Sequence, residues 1–126
     1  MENISETIEI EVHTMYLDKQ SDPGKKRFVF AYSIEITNNG LESVRLLNRH
    51  WQITDDNNKI EEVIGEGVIG QKPKIEPGKS FNYTSGAVIA TAFGTMQGCY
   101  EMETAAGEKF KATIPAFLLS LPNKVH

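Results

Sequence analysis

The chain has 126 residues with 13 Lys and Arg against 17 Asp and Glu, a net charge of −4, and is 40% hydrophobic and 24% charged. That length suits one domain with a real core and is too short for two ordinary ones. No apolar run approaches the roughly 20 residues that span a bilayer, so no membrane is expected, and the acidic balance argues against nucleic acid as a partner. Cys99 is the only cysteine, which excludes an intrachain disulfide and a Cys-rich zinc pattern. The start, "MENISETIEIEV", lacks the basic, continuously apolar character of a secretory leader, so the expected compartment is the cytoplasm.

From Ile8 to Tyr16 the residues Ile8, Ile10, Val12, Thr14 and Tyr16 alternate with Glu9, Glu11 and His13, the pattern of a half-buried strand. "SDPGKK" (Ser21 to Lys26) holds an Asp-Pro-Gly turn, after which Phe28, Phe30, Tyr32, Ile34 and Ile36 alternate until Asn38, Asn39 and Gly40 stop the run. This strand places Phe28, Phe30 or their opposite-face neighbours in the core. In "SVRLLNRHWQITDDNNK" a third long strand carries Leu47, Trp51 and Ile53 on one face, and Asp55 to Asn58 supply the turn that follows. Lys59 to Ile64 and Phe81 to Ser85 read as short strands. Met96, Gly98, Tyr100 and Met102 alternate in another, Ala105-Ala106-Gly107 makes a hairpin turn, and Phe110, Ala112 and Ile114 form a last strand that Pro115 is expected to interrupt. "PAFLLSLP" (Pro115 to Pro122) comes nearest to a helix, but bracketing prolines limit it to a turn or two. About seven short strands predict an all-β fold, a two-layer antiparallel β-sandwich. Helical crossovers for a parallel sheet have no room.

"VIGEGVIGQKPKIEPGKSF" contains Gly65, Gly67 and Gly70 in the G-x-G-x-x-G spacing of dinucleotide-binding loops. That mechanism needs a helix after the glycines, and Pro73 and Pro77 forbid one. Two readings remain: glycines that permit positive φ or close packing in a loop between strands, or a concave nest of amides for a pyrophosphate-containing or nucleotide ligand. Arg45, Leu47, Arg49 and Trp51 share a face if their strand is regular. Their arginines then stack on Trp51 or pair with a glutamate, or Arg49 supplies the counter-charge of an anion clamp.

A catalytic constellation is not legible. The imidazoles are His13, His50 and the terminal His126, Cys99 sits in a strand as a small apolar residue would, and Ser85 in "YTSG" lacks the glycine pattern of a nucleophile elbow. Asp55-Asp56 and Glu61-Glu62 read as charged turns. With no close-spaced His or Cys pair, neither a metal site nor a cofactor is expected.

Arg49-His50-Trp51, Gly65 to Gly70, Pro77-Gly78, Tyr83-Thr84-Ser85-Gly86, Gly94-Thr95-Met96-Gln97-Gly98 and Ile114-Pro115 together resemble the bacterial ApaG family, also linked to the name CorD. The resemblance covers residues 1–126 as a single ApaG domain and implies a fibronectin type III-like or immunoglobulin-like sandwich. Bacterial members are encoded near a diadenosine tetraphosphate hydrolase and an rRNA adenine dimethyltransferase, and the family name has been linked to cobalt and magnesium efflux. The domain also occurs beside an F-box protein and a DNA-polymerase-interacting protein. The resemblance therefore implies a non-catalytic protein-interaction module that binds a protein partner through a sheet face or edge and the glycine-proline loop, and that self-associates as a homo-oligomer. The alternative is a pyrophosphate or nucleotide ligand at Gly65, Gly67 and Gly70, with Arg49 beside it. Phe117, Leu118, Leu119 and Leu121 are apolar enough that they should cover the chain's own core or a partner.

Overall fold

Period-two alternation runs through most of the chain. In the computed structural model, which describes residues 4–122, it forms eight strands: β1 (Ile8–Tyr16), β2 (Phe28–Asn38), β3 (Val44–Asp55), β4 (Ile60–Glu66), β5 (Lys74–Ile75), β6 (Ser80–Ile89), β7 (Phe93–Thr104) and β8 (Lys109–Ser120). All pairings are antiparallel. One sheet has the order β1-β2-β6; the other has the order β4-β3-β7-β8, with β5 also paired to β3. Lettered in chain order with β5 set aside, this is A-B-E facing C′-C-F-G, a two-layer fibronectin type III-like sandwich. Among the described residues no helix is long and apolar enough to cross a membrane.

The core lies between the sheets. β2 turns Phe30, Tyr32, Ile34 and Ile36 inward against Trp51 and Ile53 of β3, Met96, Tyr100 and Met102 of β7, and Ala112, Ile114 and Leu119 of β8. Trp51 is the centre of an aromatic group. The rings of Tyr32, Phe117 and Tyr100 stand edge-on to it at centroid distances of 5.4, 5.8 and 6.3 Å, within the range favoured by aromatic pairs. At one end Asn38 is fully buried yet satisfied: its amide nitrogen donates to the carbonyls of Glu42 and Ile75 at 2.7 and 3.0 Å, and its amide oxygen accepts from Gly40 N–H at 2.9 Å. Its backbone also bonds Gly78 and Lys79, so one side chain fastens the end of β2 to both flanking connections.

Two expectations are corrected, both by β-bulges, which insert an extra residue and so reverse the side-chain alternation. In β3 the register with β7 shifts between Leu46 and Asn48. Val44 and Leu46 therefore point into the core before the bulge, and Trp51 and Ile53 after it, while Leu47 is only half-buried. The second correction concerns Pro115, which interrupts nothing: β8 continues to Ser120. Met96 pairs with Phe117 and Gly98 with Ile114, so Gln97 alone faces both Pro115 and Ala116. A residue without an N–H fits where the ladder is already broken, and on an edge strand. Phe117 and Leu119 then pack inside, while Leu118 remains exposed.

The hydroxyls of Tyr83 on β6 and Tyr100 on β7 hydrogen-bond to each other across the interior. Burial raises both phenol pKa values above their ordinary 10.0, and for Tyr100 the neighbouring Tyr83 adds to the effect. Tyr83→Phe or Tyr100→Phe alone leaves a buried hydroxyl unpartnered and should cost about 1–3 kcal/mol in urea unfolding, whereas the double variant should recover most of that loss. The folded state holds both phenolic protons more tightly than the unfolded chain, so this contribution is intact below pH 10.0 and lost as pH rises beyond it. Alkaline titration followed by tyrosinate absorbance should therefore show wild type losing more stability above that pH than the double Phe variant does.

Candidate functional site

The bulge at Leu47 separates the two arginines of β3. Arg45 points outward and donates from Nη1 to Lys72 C=O at 2.8 Å. Arg49, on the Trp51 side of the bulge, donates from Nη1 to the carbonyls of Glu66 and Gly67, both at 2.9 Å. One guanidinium thus holds the start of the glycine loop and the other its end. The Glu66–Lys72 ion pair, at 3.8 Å, joins the same two ends. Arg49 reaches the loop that sequence spacing places near it, and it meets carbonyl oxygens there.

The three glycines have three different roles. Gly65 lies under the Arg49 guanidinium, where a Cβ would come within 2.8 Å of Nη2. Gly67, at φ +59°, brings its Cα so close to the chain that a Cβ would stand 2.2 Å from the Gln71 carbonyl oxygen. Gly70 forms a tight turn with Ile69, at φ 76° and 43°, closed by mutual Val68–Gln71 backbone bonds of 2.8 and 2.9 Å. Positive φ at both central residues marks a type I′ turn. Val68 anchors the loop in the core. The amides of Gly67, Val68 and Gln71 donate within the chain, and those of Ile69 and Gly70 make no backbone hydrogen bond among the described residues.

Of the groups with catalytic chemistry, His13 stands apart from the others. His13 lies on β1 and His50 on β3, in different sheets. Cys99 pairs across strands with His50, and Glu62 Oε1 is 3.9 Å from His50 Nε2, beyond hydrogen-bond reach; among the described residues Nε2 has no hydrogen-bond partner. Asp55 caps its own turn, accepting from the Asn57 and Lys59 amides at 2.8 and 2.9 Å.

Two surfaces stand out that no sequence motif marks. On the outer face of the larger sheet, His50, Gln52 and Thr54 pair with Cys99, Gln97 and Thr95, an uncharged belt in a chain that is 24% charged. Ile60, Ile64, Phe93 and Leu118 border it, exposed by 56%, 73%, 42% and 54%. The second surface is a groove of about 430 Å³ between the β4 and β6 ends, lined by Ile53, Ile60, Val88 and Ile89 together with two cations, Lys26 and Lys59, and two carboxylates, Asp55 and Glu61. The signal for the first was present in the sequence as Ile60 and Ile64 flanking Glu62; the groove depends on which edges the sandwich leaves apart.

Ile69 is β-branched at positive φ, where such residues are strained. Replacement by Asn, which type I′ turns favour, should stabilise the protein by about 1 kcal/mol, while Gly67→Ala should destabilise it by about 2–4 kcal/mol through the clash with Gln71. Urea unfolding of the two variants checks both signs; equal stabilities would contradict this account of the loop.

A family model for the ApaG domain matches residues 18–104. The chain is 49% identical over 124 residues to the ApaG protein of Azoarcus sp. (strain BH72), covering 97% of this chain and 98% of that one. It is 52% identical over 119 residues to the ApaG protein of Pseudomonas entomophila (strain L48), covering 94% of each. The fold matches the crystal structure of a Bordetella pertussis protein designated ApaA with a TM-score of 0.90 at 41% identity, over 93% of this chain and 95% of that chain. By sequence along nearly its whole length and by fold, the chain belongs to the ApaG domain family.

Proposed function

We propose that the protein is a non-catalytic interaction module that binds a protein partner in the cytoplasm. The observation that carries this reading is the uncharged belt on the outer face of the larger sheet with Ile60, Ile64, Phe93 and Leu118 exposed around it. Four exposed apolar side chains around an uncharged polar belt favour a partner over water, and a sheet face of mixed apolar and polar residues has the anatomy of a non-obligate interface. His50 and Cys99 are cross-strand neighbours, but the Glu62 carboxylate stands 3.9 Å from His50 Nε2, too far to orient it by a hydrogen bond, and Arg49 is engaged by loop carbonyls; both support binding over turnover. Any link with cobalt or magnesium efflux then runs through the partner.

Affinity capture from the soluble extract of the native cell tests this, using wild type, Ile64→Lys and Leu118→Lys. Both substituted side chains are exposed, so folding should be unaffected, as circular dichroism can verify. A partner enriched by wild type and lost with either lysine is the expected result. If nothing is enriched beyond an unrelated sandwich domain, and purified protein turns over a nucleotide, the reading fails.

A further inference from the structure

Apart from the two-residue β5 on β3, the described sheets end in four edge strands, β1 and β6 in one and β4 and β8 in the other, and they are not equally guarded. β1 and the turn Ile4–Thr7 lie against β8 and close that side of the sandwich. β8 also carries Lys109, Lys111, Pro115 and a bulge, devices that keep an edge from pairing further. β4 carries Glu61, Glu62 and Glu66. β6, "SFNYTSGAVI", has no charge and no proline in its 10 residues, and it pairs with β2 in unbroken register from Thr37↔Ser80 to Phe28↔Ile89.

Which of its backbone groups are free follows from the ladder. Asn38 N–H donates to Lys79 C=O at 3.0 Å, so in this register the odd-numbered residues of β6 exchange bonds with β2. Asn82, Thr84, Gly86 and Val88 therefore turn their N–H and C=O groups away from it. The hydroxyl pairs Ser33–Thr84 and Thr37–Ser80, at 2.8 and 2.7 Å, agree, because cross-strand side chains approach most closely at pairs that share no backbone bonds. No described strand pairs on that side of β6. In constant-type immunoglobulin sandwiches the sheet has the order A-B-E-D, with a fourth strand bonded there. In this chain the segment between β4 and β6 supplies β5 to the opposite sheet instead.

We propose that the free edge of β6 receives an extended segment of a partner protein, running antiparallel, as the fourth strand of this sheet. The inference rests on the interaction-module reading and names where and how the partner docks. The segment that fits is uncharged and apolar at alternate positions. Its inward side chains enter the opening toward β4 and the groove, where they meet Ile53, Ile60, Val88 and Ile89 while Lys26 and Lys59 balance the charge of Asp55 and Glu61, and its outward side chains lie beside Asn82, Thr84 and Gly86. Main-chain bonds to an edge supply affinity, and pockets for alternate side chains supply specificity. Ile60 borders both the groove and the uncharged outer belt, so one partner can cover the two surfaces without a break. A second copy of this chain fits less well. Joining β6 to β6 would bring together two β4 strands, each with three glutamates and no basic residue.

The test uses a defined probe: an acetylated and amidated peptide of alternating Val and Thr with a Lys pair at each end, titrated into the full chain and followed by amide NMR. The resonances of Asn82, Thr84, Gly86 and Val88 should shift, with their hydrogen exchange slowed by at least about tenfold, while those of β1 and β8 stay in place. The same peptide N-methylated at alternate residues should not bind. Thr84→Pro should not bind the peptide either, since it removes an N–H that β2 does not use and spares the internal ladder. The N-methylated peptide keeps the test valid if that variant folds poorly. A peptide that leaves β6 amides unmoved at millimolar concentration, or binds Thr84→Pro equally well, overturns the proposal. So does a wild-type dimer that Thr84→Pro dissociates, since the occupant is then a second copy. If a cellular partner is captured equally by wild type and Thr84→Pro, the module reading stands and the β6 assignment falls. If the peptide binds as described while no partner is captured and the purified protein turns over a nucleotide, the edge assignment holds and the module reading falls.

Discussion

The extra residue at Leu47 determines what β3 presents on each side. Were the strand regular, Arg45 and Arg49 would lie on one face, and only one end of the loop between β4 and β5 could find a guanidinium. With the bulge, Leu46 and Trp51 both reach the core, and the two arginines separate to hold Lys72 at one end and Glu66 with Gly67 at the other. Hydrogen bonds from a charged donor to carbonyls are among the stronger ones, roughly 1.5–3 kcal/mol. Together with Val68 in the core they offset the entropy of ordering a loop that has almost no regular structure of its own.

That arrangement explains why the glycine spacing resembles a phosphate-binding motif without providing its geometry. A dinucleotide loop aims successive amides outward. Here three amides are turned inward to carbonyls of the same chain and the nearest cation is aimed at carbonyl oxygens. Gly65 makes room for a guanidinium, Gly67 for a neighbouring carbonyl, and Gly70 for a two-residue turn. The spacing arises from three separate local needs.

How much was legible follows the same physics. Phe28 to Ile36 could be read as a buried strand because one parity is apolar for nine residues, and Asp55 to Asn58 could be read as a turn because Asp55 bonds the amides after it. Bulges were not legible where the residues around them are apolar at consecutive positions. Leu46-Leu47 and Phe117-Leu118-Leu119 allow either parity, so only pairing with β7 decides which leucine enters the core. Pro115 looked like a strand end because proline removes a ladder bond; on an edge, at a bulge, no bond is lost. Whether Arg49 reaches the glycine loop was open in the sequence, and its contacts with the Glu66 and Gly67 carbonyls depend on carbonyl directions that no spacing encodes.

The edges of the sandwich were hidden for a different reason: a strand's charge is visible in sequence, whereas its being an edge is not. Once the topology is known, the contrast between β4 and β6 becomes informative. Both flank the open side, and the glutamates of β4 make it a poor template for a second acidic chain, as a net charge of −4 also does. β6 has no such protection, and an uncharged edge with four residues' worth of unpaired amides and carbonyls is a liability in a crowded cell. Its inward residues Tyr83, Ala87 and Ile89 belong to the core, so a charge placed there to block pairing would have to be buried. Of the outward positions, Thr84 and Ser80 are tied by hydroxyl bonds to β2. Asn82, Gly86 and Val88 carry no such tie, and a lysine at any of them would guard the edge with little effect on packing. The absence of a charge at positions that could hold one is what a strand-accepting edge requires.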